Sequence, residues 1–129
     1  MTTTASRISE INLVMIPSSN QDRSIEFYVK ELGFEKRTDV AFGEHYRWVE
    51  VYPPSGSTGI ALAPPREGDP TGIQTGISLT TDDIDATHAE LQSRSVDVDA
   101  EVSRMGEPVP PMFWLRDPDG NTLLIVEQR

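Results

Sequence analysis

Met112-Phe113-Trp114-Leu115-Arg116-Asp117-Pro118-Asp119-Gly120-Asn121-Thr122-Leu123-Leu124-Ile125-Val126-Glu127 reads as two strands, 112–116 and 121–127, joined by a tight turn. Proline presets one turn angle and glycine tolerates positive φ, so Asp117-Pro118-Asp119-Gly120 ends one strand and starts the next. Working back from this hairpin, 96–102 has extended character and 75–80 reads as a strand. Between them, Thr81 or Asp82 is expected to cap a helix carrying Ile84, His88 and Leu91 on one face. The order of elements is βαβββ.

Pro64-Pro65-Arg66-Glu67-Gly68-Asp69-Pro70 cannot continue a ladder, because proline has no N–H to donate, and it reads as a linker. Upstream of it the same order recurs. The apolar run 11–16 is a short buried strand stopped by Pro17. Asn20 is a good N-cap for a helix with Ile25, Tyr28, Val29 and Leu32 at helical spacing, and Gly33 supplies a left-handed stop. Three strands follow at 34–41, 45–52 and 58–63. Superposing the two helices pairs Ile25 with Ile84, Val29 with His88 and Leu32 with Leu91. The expectation is one α+β domain over 8–128: a βαβββ module at about 8–64, a linker at 64–72, a second module at about 73–128, and a flexible N-terminus at 1–7.

At 129 residues the chain is long enough for one buried core. With 21 acidic and 11 basic residues its formal net charge is −10, which repels phosphate backbones and anionic bilayers, so neither nucleic acid nor membrane is an expected partner. No apolar run approaches the ~20 residues that span a bilayer. The absence of cysteine and of a secretory apolar stretch in residues 1–7 makes a cytoplasmic location the default expectation.

Asp22-Arg23-Ser24-Ile25-Glu26-Phe27-Tyr28 with Leu32-Gly33-Phe34, and Asp117-Pro118-Asp119-Gly120-Asn121, resemble segments of the vicinal-oxygen-chelate superfamily. That superfamily includes glyoxalase I, extradiol dioxygenases and the fosfomycin- and bleomycin-resistance proteins. Thr81-Asp82-Asp83-Ile84-Asp85-Ala86 resembles the start of its second helix, so the likeness runs from about Ile8 to Glu127. It implies a cupped, incompletely closed eight-stranded barrel made from two tandem βαβββ modules, a pocket inside the cup, and a homodimer.

In the metal enzymes of the superfamily, ligands come from the first and fourth strands of each half and are usually His, Glu or Gln. Carried over to this chain, those positions fall on Asn12 or Leu13, near Gly59-Ile60-Ala61-Leu62, near Gly76 with Gln74 the nearest donor, and on Leu124, with Glu127 farther along. A divalent ion needs three or four converging donors such as imidazole or carboxylate. A set made from Asn12, Gln74 and Glu127 binds weakly by donor type, so no metal site and no cofactor are expected.

In His45-Tyr46-Arg47-Trp48-Val49-Glu50-Val51-Tyr52, alternation puts Tyr46, Trp48, Glu50 and Tyr52 on one face. Aromatic walls bury apolar ligand surface and a fixed charge orients it, which favours a planar or cationic ligand. The same face also suits an aromatic ladder at a dimer contact. Met112 and Trp114 offer similar material in the second half, and His45 stands at a hairpin end where a pocket mouth is an alternative to simple solvation. His88, on an apolar helix face, reads as a packed core histidine, and Ser95 stands where members of the superfamily this chain resembles often carry glycine, a position that costs serine more than glycine if its backbone is left-handed.

The candidate ligand-binding residues are therefore Asn12, His45, Trp48, Glu50, Gln74, Met112 and Trp114, and Glu50 is the one candidate for acid or base chemistry. The leading expectation is a metal-independent binder of a small organic molecule. The alternatives are a metal-dependent lyase, isomerase or extradiol-type dioxygenase whose ligands are hidden by a register slip, and an interaction module whose aromatic face only builds the dimer.

Overall fold

A computed structural model of the chain describes residues 5–128, apart from the side chain of Phe42. Residues 1–4 of the N-terminal stretch expected to be flexible lie outside the described residues. The elements are β1 (Leu13–Pro17), α1 (Gln21–Ile25) continuing into a π-helical turn (Glu26–Glu31), β2 (Glu35–Phe42), β3 (Tyr46–Tyr52), β4 (Gly59–Ala63), β5 (Gln74–Thr81), α2 (Ile84–Ser93), β6 (Asp97–Val98), β7 (Met112–Arg116) and β8 (Thr122–Glu127). They build two four-stranded sheets with orders β1-β4-β3-β2 and β5-β8-β7-β6. In each, the first strand lies parallel to the last and the other neighbours are antiparallel. The two sheets are not closed into a barrel, which is the cupped double-βαβββ arrangement read from the sequence.

Both helices start on a side-chain cap. Asn20 accepts from the Arg23 N–H, as expected, and Asp83 accepts from the Ala86 N–H. The second cap is thus Asp83 rather than Thr81 or Asp82. β5 runs on to Thr81, whose carbonyl accepts from Gln128 N–H and whose hydroxyl accepts from Asp83 N–H, and this delays the start of the helix.

The caps also correct the superposition of the two halves. The separation that aligns Asn20 with Asp83 aligns Met15 with Ser78 and Ala61 with Leu124, which hold equivalent places in the β1/β4 and β5/β8 pairs. Ile25 then falls opposite His88 and Tyr28 opposite Leu91, one helical turn from the expected pairing. Between its cap and its left-handed stop at Gly33 (φ 80°), the first helix holds one more residue than the second does before Ser95 (φ 61°). The π-helical turn absorbs that residue, a common way to accommodate an insertion. Ser95 does adopt a left-handed conformation, the case in which glycine would cost less.

Only Asp97–Val98 of the extended stretch 96–102 joins the sheet as a strand. Beyond it, Asp99 N–H still donates to the Trp114 carbonyl, but the return bond from Trp114 N–H goes to the Asp99 carboxylate, which also accepts from Arg116. The chain meets β7 again at a single bridge between Ser103 and Met112.

One hydrophobic cluster spans both modules. Ile16, Val49, Val51, Ile60 and Leu62 from the first sheet share it with Phe113, Leu115, Leu123 and Ile125 from the second, and the helices contribute Phe27, Tyr28, Ile84 and Leu91. The alternate residues of each strand therefore face the other way, onto the open sides of the sheets. The Asp117-Asn121 turn fastens the modules together. Asn121 is fully buried, donates to the Pro17 carbonyl and to Asp117, and accepts from the Gly72 and Ile73 N–H groups at the end of the linker.

Candidate functional site on the open sheet faces

Directly opposed residues on neighbouring strands point to the same face. The registers Met15↔Ala61, Glu50↔Ala61 and Thr38↔Glu50 therefore place Met15, Ala61, Glu50 and Thr38 in one row across the open side of the first sheet. Trp48 and Tyr52 flank Glu50 on that side by strand alternation, as read from the sequence.

The carboxylate of Glu50 is held at both oxygens. Trp48 Nε1 donates to Oε2 at 2.6 Å and Tyr52 Oη donates to Oε1 at 2.7 Å. The Tyr52 hydroxyl is pushed above its ordinary range, first by its hydrogen bond to Glu50 and then by burial, so it stays a donor. The Tyr52 ring lies across Gly59, where a Cβ would stand 2.6 Å from ring carbons, and Arg37 sits over the ring at 4.5 Å. Gly59 is thus required by the close approach of the aromatic ring that orients Glu50. This interlock was not legible in the sequence, where Gly59 appeared only as a position lacking a metal donor.

The second sheet presents Met112 and Trp114 on its open face, opposite Val126 and Leu124 of β8. Both are half-buried. The structure thus groups Trp48 with Glu50 on one sheet and Met112 with Trp114 on the other. The remaining candidates stand apart. Asn12 is exposed just before β1, and its carbonyl accepts from Gly59 N–H. Gln74 is exposed at the start of β5, where its Oε1 accepts from Gly76 N–H. His45 lies in the β2–β3 turn with its side chain 92% exposed. His88 is the packed histidine anticipated, donating from Nε2 to the Asp99 carbonyl at 2.7 Å and meeting the Phe113 ring edge-on.

The strand registers show which side chains surround the positions to which the resemblance carries the metal ligands. On the open faces they are Leu13 and Met15 of β1, Gly59 and Ala61 of β4, Ser78 of β5 beside the Gly76 bulge, and Leu124 of β8. A thioether, a hydroxyl and aliphatic groups are poor partners for a divalent ion that favours imidazole or carboxylate. Glu127 does not fill the gap, because its Oε2 accepts from the Ile84 N–H at the start of α2. Among the described residues no group of three His, Asp or Glu side chains is arranged to hold an ion. The donor set does not fit the superfamily's metal.

One cavity borders the open face of the first sheet and another lies between the two modules. The first, of about 430 Å³, lies where Met15, Tyr46 and Ala63 meet the linker prolines Pro64 and Pro65 and Ile73. The second, of about 350 Å³, opens between Val14, Phe34 and Ile60 on one module and Ile77 and Leu79 on the other.

Comparison with known proteins adds the family. A model described as the Glyoxalase/Bleomycin resistance protein/Dioxygenase superfamily matches residues 10–125. A crystal structure of a member of that superfamily from Sphaerobacter thermophilus DSM 20745 is 36% identical, covers 94% of this chain and 98% of its own, and superposes with a TM-score of 0.87. TnmS3, described as an antibiotic binding protein from Streptomyces sp. CB03234, is 32% identical over 97% of this chain and 100% of its own, with a TM-score of 0.83. A glyoxalase/bleomycin resistance protein from the same Streptomyces strain is 35% identical over 88% of this chain and 96% of its own, with a TM-score of 0.74.

Proposed function

Because the chain belongs to the Glyoxalase/Bleomycin resistance protein/Dioxygenase superfamily, we propose that it is a metal-independent binding protein for a small organic molecule. The observation that carries this reading is the donor set. The resemblance carries the ligand positions of the superfamily's metal enzymes onto Asn12 or Leu13, the stretch Gly59-Ile60-Ala61-Leu62, Gly76 with Gln74 nearby, and Leu124, and these residues offer no good ligand set for a divalent cation. The likeness to an antibiotic-binding protein supports a role in holding such a molecule.

In this reading Trp48 and Glu50 on the first sheet, and Met112 and Trp114 on the second, supply the ligand-contacting faces, with Asn12, His45 and Gln74 at their margins. Aromatic walls supply apolar burial and the carboxylate orients the ligand. A homodimer, held in the cytoplasm, completes the assignment. Support for the dimer is the amount of apolar side chain left open on the first sheet, where Met15 is 66% and Val40 51% exposed.

The test is a thermal-shift screen of the full chain against planar aromatic and cationic drug-like molecules, run with and without EDTA. A ligand well above its dissociation constant is expected to stabilise the fold by a few kcal/mol, unchanged by chelator. Stabilisation abolished by EDTA contradicts the metal-independent reading, and a screen with no stabilising molecule contradicts the binding role itself.

A further inference from the structure

Glu50 lies on the same face of β3 as Tyr46, which lines the cavity beneath the linker. Both groups that hold the Glu50 carboxylate are neutral, and among the described residues no basic side chain pairs with it. Each oxygen accepts one bond and has lone-pair capacity left. A half-buried charge of this kind is satisfied by a ligand that brings a cation with N–H donors.

Next to Glu50 in the row lies Ala61, fully buried beneath its neighbours, and beyond it the exposed Met15, roughly 10 Å from Glu50 at two strand spacings. Met15 opens into the 430 Å³ cavity walled by Tyr46, Ala63, Pro64, Pro65 and Ile73. That volume lies within the range of small-molecule sites, and proline walls are stiff. Arg66 and Asp69 stand at its edge and bring both signs of charge, so discrimination by charge belongs to the Glu50 end. The net charge of −10 favours approach of a cation.

We propose that the ligand is an elongated molecule with a protonated amine at one end and an apolar body at the other, the amine held by Glu50 and the body lodged under the linker. This rests on the small-molecule reading above and names its ligand class.

The experiment is isothermal titration of the full chain with phenylbutylamine and with its neutral analogue phenylbutanol, on wild type, Glu50→Gln and Met15→Ala. Wild type is expected to bind the amine about tenfold or more tightly than the alcohol. Glu50→Gln is expected to abolish that preference while leaving the alcohol's affinity in place. Met15→Ala, at an exposed position, is expected to weaken both probes with the preference kept. Equal affinities in wild type, or a preference that survives in Glu50→Gln, overturn the inference while leaving the binding role standing. Failure of both probes to bind wild type overturns it as well, and the broader drug screen then bears separately on the reading beneath it.

Discussion

Tyr28, in the π-helical turn that follows α1, donates its hydroxyl to Asp117 Oδ2 at 2.9 Å across 89 residues of sequence. Asp117 also accepts from Asn121 Nδ2 and from the Asp119 and Asn121 N–H groups, so its buried carboxylate is fully bonded. A residue of the first module thereby locks the turn that closes the second.

Removing that hydroxyl leaves a buried acceptor short of one donor. Tyr28→Phe is expected to cost about 1.5–3 kcal/mol of stability, measured by urea unfolding near neutral pH. An unchanged midpoint would remove the clasp from the account.

The same hydroxyl carries an alkaline signature. Burial, then the charge of Asp117, holds Tyr28 well above its ordinary range. A raised folded value means its contribution is fully present below the unfolded value of about 10 and is lost as pH rises beyond it. Wild type should lose stability above about pH 10 more steeply than Tyr28→Phe, and parallel pH profiles would contradict this.

Asp39 gives the opposite sign. Its hydrogen bonds to Arg47 and Lys36 hold the carboxyl well below the usual carboxylate range. A lowered folded value contributes stability that is present above about pH 4 and is lost as pH falls through the folded value. Asp39→Asn should flatten the acid limb of the stability profile below about pH 4. An acid limb as steep as wild type's argues against a role for this pair.

Ser95 sits at φ 61° with its side chain exposed, a conformation glycine adopts without strain. Ser95→Gly is expected to stabilise the protein by roughly 1 kcal/mol, visible as a raised Tm. A lowered Tm would mean that the serine side chain contributes something its bonding pattern does not show.

Gly59→Ala tests the support of Glu50. The added Cβ meets the Tyr52 ring at 2.6 Å, so the ring must shift and its hydroxyl must leave Glu50. The expected result is a loss of about 1–3 kcal/mol in stability together with weakened ligand binding. Binding that remains at wild-type strength separates Tyr52 from the site.

The architecture was legible because its signals are local. The Asp117-Pro118-Asp119-Gly120 turn, the Asn20 cap, the Gly33 stop and the alternation in β3 each act over a few residues. The π-helical turn was not, since one extra residue leaves no mark in an amphipathic pattern, and the pairing of the two helices came out one turn off because residues four apart share a helix face. The face carrying Trp48 and Glu50 was readable from period two, whereas the hydrogen bonds that clamp Glu50 depend on rotamers. Asn121 looked like a turn residue and proves to join the turn, the linker and β1, because its partners Pro17 and Gly72 are brought to it only by the fold.

Elemental analysis of protein purified without added metal and dialysed tests the central claim most directly. The account predicts far less than one equivalent of any transition metal per chain, with ligand-induced stabilisation intact. A full equivalent of zinc, iron, manganese or nickel that survives dialysis, and whose removal lowers Tm, would contradict it.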